Sequence, residues 1–142
     1  MRIAGYCIAV LALAGVVVSA LAVQVHYSTK TEPCYVNQRW DCGIVNHSTF
    51  AEIGGVPVAA IGVAGYLALG ILALFRQRFP TFLAALVGLG FALRLTFVEE
   101  YVIRMWCIYC VISQTIIALI ALLALIWFGA EYYGLKRGRR AA

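Results

Sequence analysis

The sequence predicts an all-α integral membrane protein: a four-helix bundle with both termini cytoplasmic and a cysteine-bearing outward loop between helices 1 and 2. Three observations carry that expectation. The 142 residues are 64% hydrophobic and only 12% charged, well below the roughly 25% of a typical soluble domain. Four apolar runs approach the roughly 20 residues that a helix needs to cross about 30 Å of hydrocarbon. Basic residues gather at alternate connections, as the positive-inside tendency requires. A single domain over residues 1–142 is expected.

The first run, 3–25, is interrupted only by small residues, Ser19 and Gln24. Arg2, the run and Ala20-Leu21-Ala22 also resemble a signal peptide with its cleavage site. The run is longer than the roughly 7–15 residues of a signal h-region, which favours an uncleaved anchor. The outward loop, 26–52, sets Lys30 and Arg39 against Glu32, Asp41 and Glu52. The second span, 53–75, carries no charge, and Arg76 and Arg78 follow it. The third, about 79–100, contains Arg94 and ends on Glu99 and Glu100, with Arg104 beyond. The fourth, 106–130, is uncharged and leads into a tail, 131–142, where Lys136, Arg137, Arg139 and Arg140 outnumber Glu131. Backbone groups in lipid must pair within their own segment, so each run is read as a helix. The basic N-terminus, middle connection and tail belong in the cytoplasm. The loop and the start of the fourth span then face the periplasm, cell exterior or an organelle lumen, where thiol pairs can persist as disulfides.

The short connection 76–78 predicts that the second and third helices are antiparallel neighbours. Ala59, Ala60, Gly62, Ala64, Gly65 and Gly70, with Ala84, Ala85, Gly88 and Gly90, are read as packing positions, because small residues let helix backbones approach in lipid. The net charge of +5 reports topology. No Lys/Arg stripe interleaved with aromatics is present, so no nucleic-acid partner is expected. Arg94 is read as snorkelling outward or pairing with Glu99 or Glu100. Tyr101, Trp106 and Tyr109 suit the outer interfacial belt; Trp127, Tyr132 and Tyr133 suit the inner one.

Chemistry concentrates in the cysteines. Cys34 and Cys42 lie in the outward loop, and Cys107-Ile108-Tyr109-Cys110 opens the fourth span. Residues three apart share a helix face, so Cys107 and Cys110 can close a disulfide or together confront a bound molecule. A helix N-terminus favours a thiolate, the reactive form. Pro33, Asn37, Asp41 and Gly43 disfavour long regular structure around the loop pair. Two dithiols on one face of a membrane bundle point to a relay: disulfide exchange at one end, an apolar electron carrier at the other. A static loop staple with inert helix thiols, in a non-catalytic membrane subunit, is the alternative. Structural zinc prefers two closely spaced pairs; only one Cys-x-x-Cys exists, and neither His26 nor His47 has ligand spacing to it, so no metal is expected. Cys7, within the first span, is read as a small apolar residue.

Together these features resemble the vitamin K epoxide reductase family. The matching residues are Cys34 and Cys42, Ser48 six positions on, Gly55-Val56-Pro57 before the second helix, the Gly62…Tyr66 stretch and the Cys107–Cys110 motif. The resemblance covers roughly 3–128. It implies a four-helix bundle holding a quinone of the menaquinone, ubiquinone or vitamin K type beside the Cys-x-x-Cys. Cys110 would face the quinone, Cys107 would resolve Cys110 and exchange with Cys42, and Cys34 would meet the redox partner. Ser48 takes the position of a family serine or threonine near the quinone. Gln114 stands where vertebrate members have a substrate-holding tyrosine, and its amide can bond a ring carbonyl. Val58 falls near the place of their substrate-binding asparagine. Both departures favour quinone reduction over epoxide chemistry, which is the alternative activity. Phe50 and Tyr109, with Phe97 and Trp106, are candidate walls of the ring site. Many bacterial members carry a fused thioredoxin-like domain; this chain stops after its basic tail, so a separate thioredoxin-like or DsbA-like dithiol partner is expected. The implied activity is thiol oxidation coupled to quinone reduction in a bacterial inner membrane, in support of disulfide-bond formation. The DsbB type of disulfide generator carries its Cys-x-x-Cys in the first outward loop, the reverse of the order here.

Overall fold

A computed structural model describes residues 2–28 and 37–141. Cys34 and the rest of 29–36 lie outside the described residues. Helix α1 spans Arg2–Tyr27, the short α2 Cys42–Asn46, α3 Val58–Leu74, α4 Arg78–Phe97 and α5 Ile108–Ala141. A 3₁₀ turn, Thr49–Ala51, follows α2, and a π-helical segment, Val98–Ile103, prolongs α4. The segments Arg2–Tyr27, Arg78–Ile103 and Ile108–Ala141 are long and apolar enough to cross a membrane. The protein is therefore an all-helical membrane protein in its main mass. Helix α3 is apolar but has 17 residues, a rise of about 25 Å.

Three boundaries differ from the sequence expectation. Helix α3 begins at Val58 rather than at 53, because Glu52–Ile53 and Val56–Pro57 pair as strands β1 and β2 of a minimal hairpin. Its turn is Gly54-Gly55, with φ of +60° and +82°, a conformation glycine adopts without steric cost. Helix α5 does not stop near 130 but continues through the basic tail to Ala141, a stretch without proline in which Glu131, Leu135, Lys136 and three arginines are good helix formers and outweigh two glycines. The Cys-x-x-Cys is also staggered: α5 starts at Ile108, so Cys107 precedes the helix and Cys110 lies in its first turn.

Helix α1 packs on α3 and α5, and α4 packs on α5; the α3–α4 contact is the thinnest of the bundle. The short connection thus joins two helices that diverge, turning back at Arg76 with φ of +58°. Ile8, Ile120 and Ala124 are fully buried at the centre. Small residues close the α1–α3 seam. A Cβ at Gly15 would stand 2.4 Å from the Tyr66 ring, and one at Gly62 3.0 Å from Ser19 Oγ. Gly70 faces Ala12, whereas Gly65 and Gly90 have open space where a side chain would project. At the start of α4 Arg78 pairs with Glu131 at 3.3 Å and lies over the Trp127 ring.

Candidate active site

Two thiol-bearing segments meet at the end of the bundle where α5 begins, and backbone pairing fixes their register. The Trp106 amide donates to Arg39 O at 2.7 Å, and the Asp41 amide donates to Trp106 O at 3.1 Å. The Trp40 and Trp106 rings lie 5.9 Å apart over this clamp. Asp41 then caps α2, its Oδ1 accepting from the amides of Gly43 (2.9 Å) and Ile44 (3.2 Å). The loop glycine and aspartate that disfavour long structure therefore build one tight helical turn. That turn holds Cys42 against Cys107.

Both sulfurs are fully buried. Cys42 is disulfide-bonded, whereas Cys107 and Cys110 are free thiols. The Cys107 thiol donates toward Cys42 Sγ at 3.3 Å. A covalent S–S bond is about 2.05 Å, so a new one between them needs a shift of little more than an ångström. Asn46 Nδ2 donates to Cys42 O at 2.9 Å and approaches Cys107 Sγ at 3.6 Å. Cys107 stands outside the membrane helix, and its thiol is held below the ordinary cysteine value. The chief cause is the hydrogen bond from the Cys110 thiol; burial opposes it. Val25 of α1 and Val45 of α2 close over the sulfurs, with Ile103 and Met105 at the edge.

Below them lies a cavity of about 650 Å³ between α3 and α4, floored by α5 and α1. Cys110 and Tyr109 are at its wall, as are Ser48 and Phe50. Exposed Ile61 on α3 and Leu83 and Val87 on α4 also line it, so it opens sideways between those two helices. Its polar features are few. Tyr66 Oη donates to Ser113 O at 2.7 Å and lies 2.9 Å from Ser113 Oγ. Ser48 Oγ donates to Val45 O at 2.8 Å.

The sequence-predicted residues divide accordingly. Cys42, Cys107 and Cys110 converge; Ser48, Phe50 and Tyr109 border the cavity. Gln114 does not border it: its Oε1 accepts from Thr96 Oγ1, tying α5 to α4. Phe97 packs on Tyr101 and Trp106 on Trp40, both away from the cavity lining. Among the described residues no three potential ligands cluster as a metal site.

Two residues escape the sequence reading. Asn46 is one helical turn beyond Cys42, a spacing that returns its amide to the sulfurs. Glu99 is 3% exposed. Its Oε2 accepts from the Cys107 amide at 3.4 Å, and it borders the cavity together with Cys110. The π-helical segment turns it inward, and Arg104, left-handed at φ +56°, ends that segment. Arg94 is exposed, and among the described residues the ion pairs are His26–Glu52 and Arg78–Glu131. The available signal was an acid inside a predicted span, which is costly without a purpose.

The fold is a helical membrane scaffold that sets a thiol against a disulfide-bonded cysteine beside an apolar cavity. The family model described as "Vitamin K epoxide reductase family" matches residues 6–125. The chain belongs to that family and is an oxidoreductase with a membrane redox function. No curated protein matches it.

Proposed function

We propose that this protein is a membrane thiol:quinone oxidoreductase that oxidises a thioredoxin-like or DsbA-like dithiol protein and so supports disulfide-bond formation. The observation that carries this reading is Cys107 Sγ lying 3.3 Å from the disulfide-bonded Cys42, with Cys110 beside it at the cavity wall.

The residues fit a quinone. The cavity volume falls in the usual range for small-molecule sites, roughly 300–1,000 Å³, and its lining is overwhelmingly apolar. A bound quinone would supply a two-electron acceptor. Phe50 and Tyr109 would flank it, and Ser48, with the Tyr66–Ser113 pair, offers hydroxyls. The sideways opening suits a lipid-dissolved molecule. The partner would reduce the loop pair, Cys34 and Cys42. The Cys42 thiolate would then attack a Cys107–Cys110 disulfide: the S42–S107 bond forms, the S107–S110 bond breaks, and Cys110 leaves with the electron pair. Cys110, at the cavity wall, is the cysteine placed to pass it on. The 142 residues would form one domain with four spans. The basic residues at 76–78 and 136–140 support both termini inside and the thiols outside, in a bacterial inner membrane.

The test is trapping. Cys110→Ala should accumulate a Cys42–Cys107 disulfide, detected as a cross-linked peptide, and should abolish quinone reduction with dithiothreitol as donor. A membrane-impermeant thiol reagent, applied to intact cells, should reach the loop pair. Absence of the cross-link, with quinone reduction intact, would overturn the relay.

A further inference from the structure

The relay moves protons as well as sulfur bonds; Val25 and Val45 close over Cys42 and Cys107, and Cys110 is half-buried at the wall of the apolar cavity. Some group must take the Cys110 proton when that thiol becomes a nucleophile and return it when it becomes a leaving group. The geometry points to Glu99 as that group, the acid–base residue of the Cys107–Cys110 couple.

Three observations converge on this carboxyl. It is buried to 3% exposure where the cavity meets the thiols. It accepts from the Cys107 amide at 3.4 Å and shares the cavity wall with Cys110. Among the described residues no cation pairs with it, and a buried carboxylate without a cation is a costly permanent anion. The π-helical segment Val98–Ile103 makes this placement, and Met105 N donating to Glu99 O at 3.2 Å holds the turn closed. Among the described residues the titratable groups around it are Cys107, Cys110 and the cavity tyrosines Tyr66 and Tyr109, and no other carboxylate borders the cavity.

The step rests on the relay proposed above and balances as follows. When Cys110 attacks the Cys42–Cys107 mixed disulfide, its proton moves to Glu99. The S110–S107 bond forms, the S107–S42 bond breaks, and the electron pair leaves on Cys42. In the opposite direction Cys42 attacks Cys107, Cys110 leaves as thiolate, and protonated Glu99 returns the proton to it. No oxidant or reductant beyond the three sulfurs enters either step.

The experiment uses the full chain in detergent, oxidised to the Cys107–Cys110 disulfide and then pulsed with dithiothreitol. Samples are quenched in acid and tagged with a maleimide, so that free Cys107 and Cys110 are counted by mass. Glu99→Gln keeps shape and hydrogen bonding but holds no exchangeable charge. It should slow release of the two thiols by roughly 100-fold near neutral pH, the lower end for general acid–base catalysis. The deficit should shrink toward about pH 9, where thiols ionise unaided. Glu99→Asp should recover part of the rate. A deficit equal at every pH would mean a structural role, and a wild-type profile would mean none; either overturns the assignment. Failure of the relay itself reads differently: dithiothreitol would then free Cys107 and Cys110 at the same rate in Cys42→Ser as in the unsubstituted chain.

Discussion

Cys107 illustrates how one hydrogen bond sets reactivity at a buried sulfur. Its thiol is held below the ordinary value because the Cys110 thiol donates to it. At a given pH it is therefore ionised more than an ordinary cysteine, and loss of the donor moves its profile upward. Cys110→Ser retains a hydroxyl donor; Cys110→Ala retains none. The rate of Cys42–Cys107 bond formation should reach half its maximum at higher pH in Cys110→Ala than in Cys110→Ser, as measured by quenched peptide mass spectrometry. Coincident profiles would place the cause elsewhere. At this scale the sequence was legible where spacing speaks: Cys107 and Cys110 lie together at the start of α5, although Cys107 precedes the helix. It was illegible where burial decides. Glu99 and Glu100 read alike as the charged end of the third span, yet a single π-helical segment sends Glu99 to 3% exposure. Gln114 read as a cavity residue, and the hydroxyl of Thr96 engages it instead.

Among the elements, the α1–α3 seam shows what small residues accomplish in lipid. Hydrophobic burial gives helices little reason to associate there, so close packing must hold them together. Gly15 leaves room for the Tyr66 ring, which a Cβ would meet at 2.4 Å. Tyr66 in turn anchors α3 to α5 through Ser113. Gly15→Ala should therefore destabilise the protein by about 1–3 kcal/mol, the usual cost of overpacking, and weaken the Tyr66–Ser113 contact. Thermal unfolding in detergent tests this, with Gly90→Ala, which meets open space, as the comparison. Helix positions were readable from hydropathy. Which small residues touch a neighbour was not: Gly15 was hidden in an apolar run, while Gly65 and Gly90 looked like contacts and face open space. The Gly54-Gly55 hairpin also starts the second helix five residues late, because its positive-φ turn outranks an apolar composition there.

For the molecule as a whole, the decisive feature is that α3 and α4 diverge although only a short turn joins them. Connection length constrained their order and direction, not their separation, so the cavity could not be read from the sequence. Gly65 borders it with open space at its Cβ position. Gly65→Phe should therefore fill part of the cavity without disturbing the thiols. The expected result is a raised KM for quinone with unchanged Cys42–Cys107 trapping in the Cys110→Ala background. Equal kinetics before and after would mean that the quinone binds elsewhere.

The gap between α3 and α4 faces hydrocarbon rather than solvent. A molecule arriving that way is supplied by its mole fraction in the leaflet, not by its concentration in the surrounding buffer. Occupancy would then follow membrane composition, and apparent affinities measured in micelles would scale with the amount of detergent present.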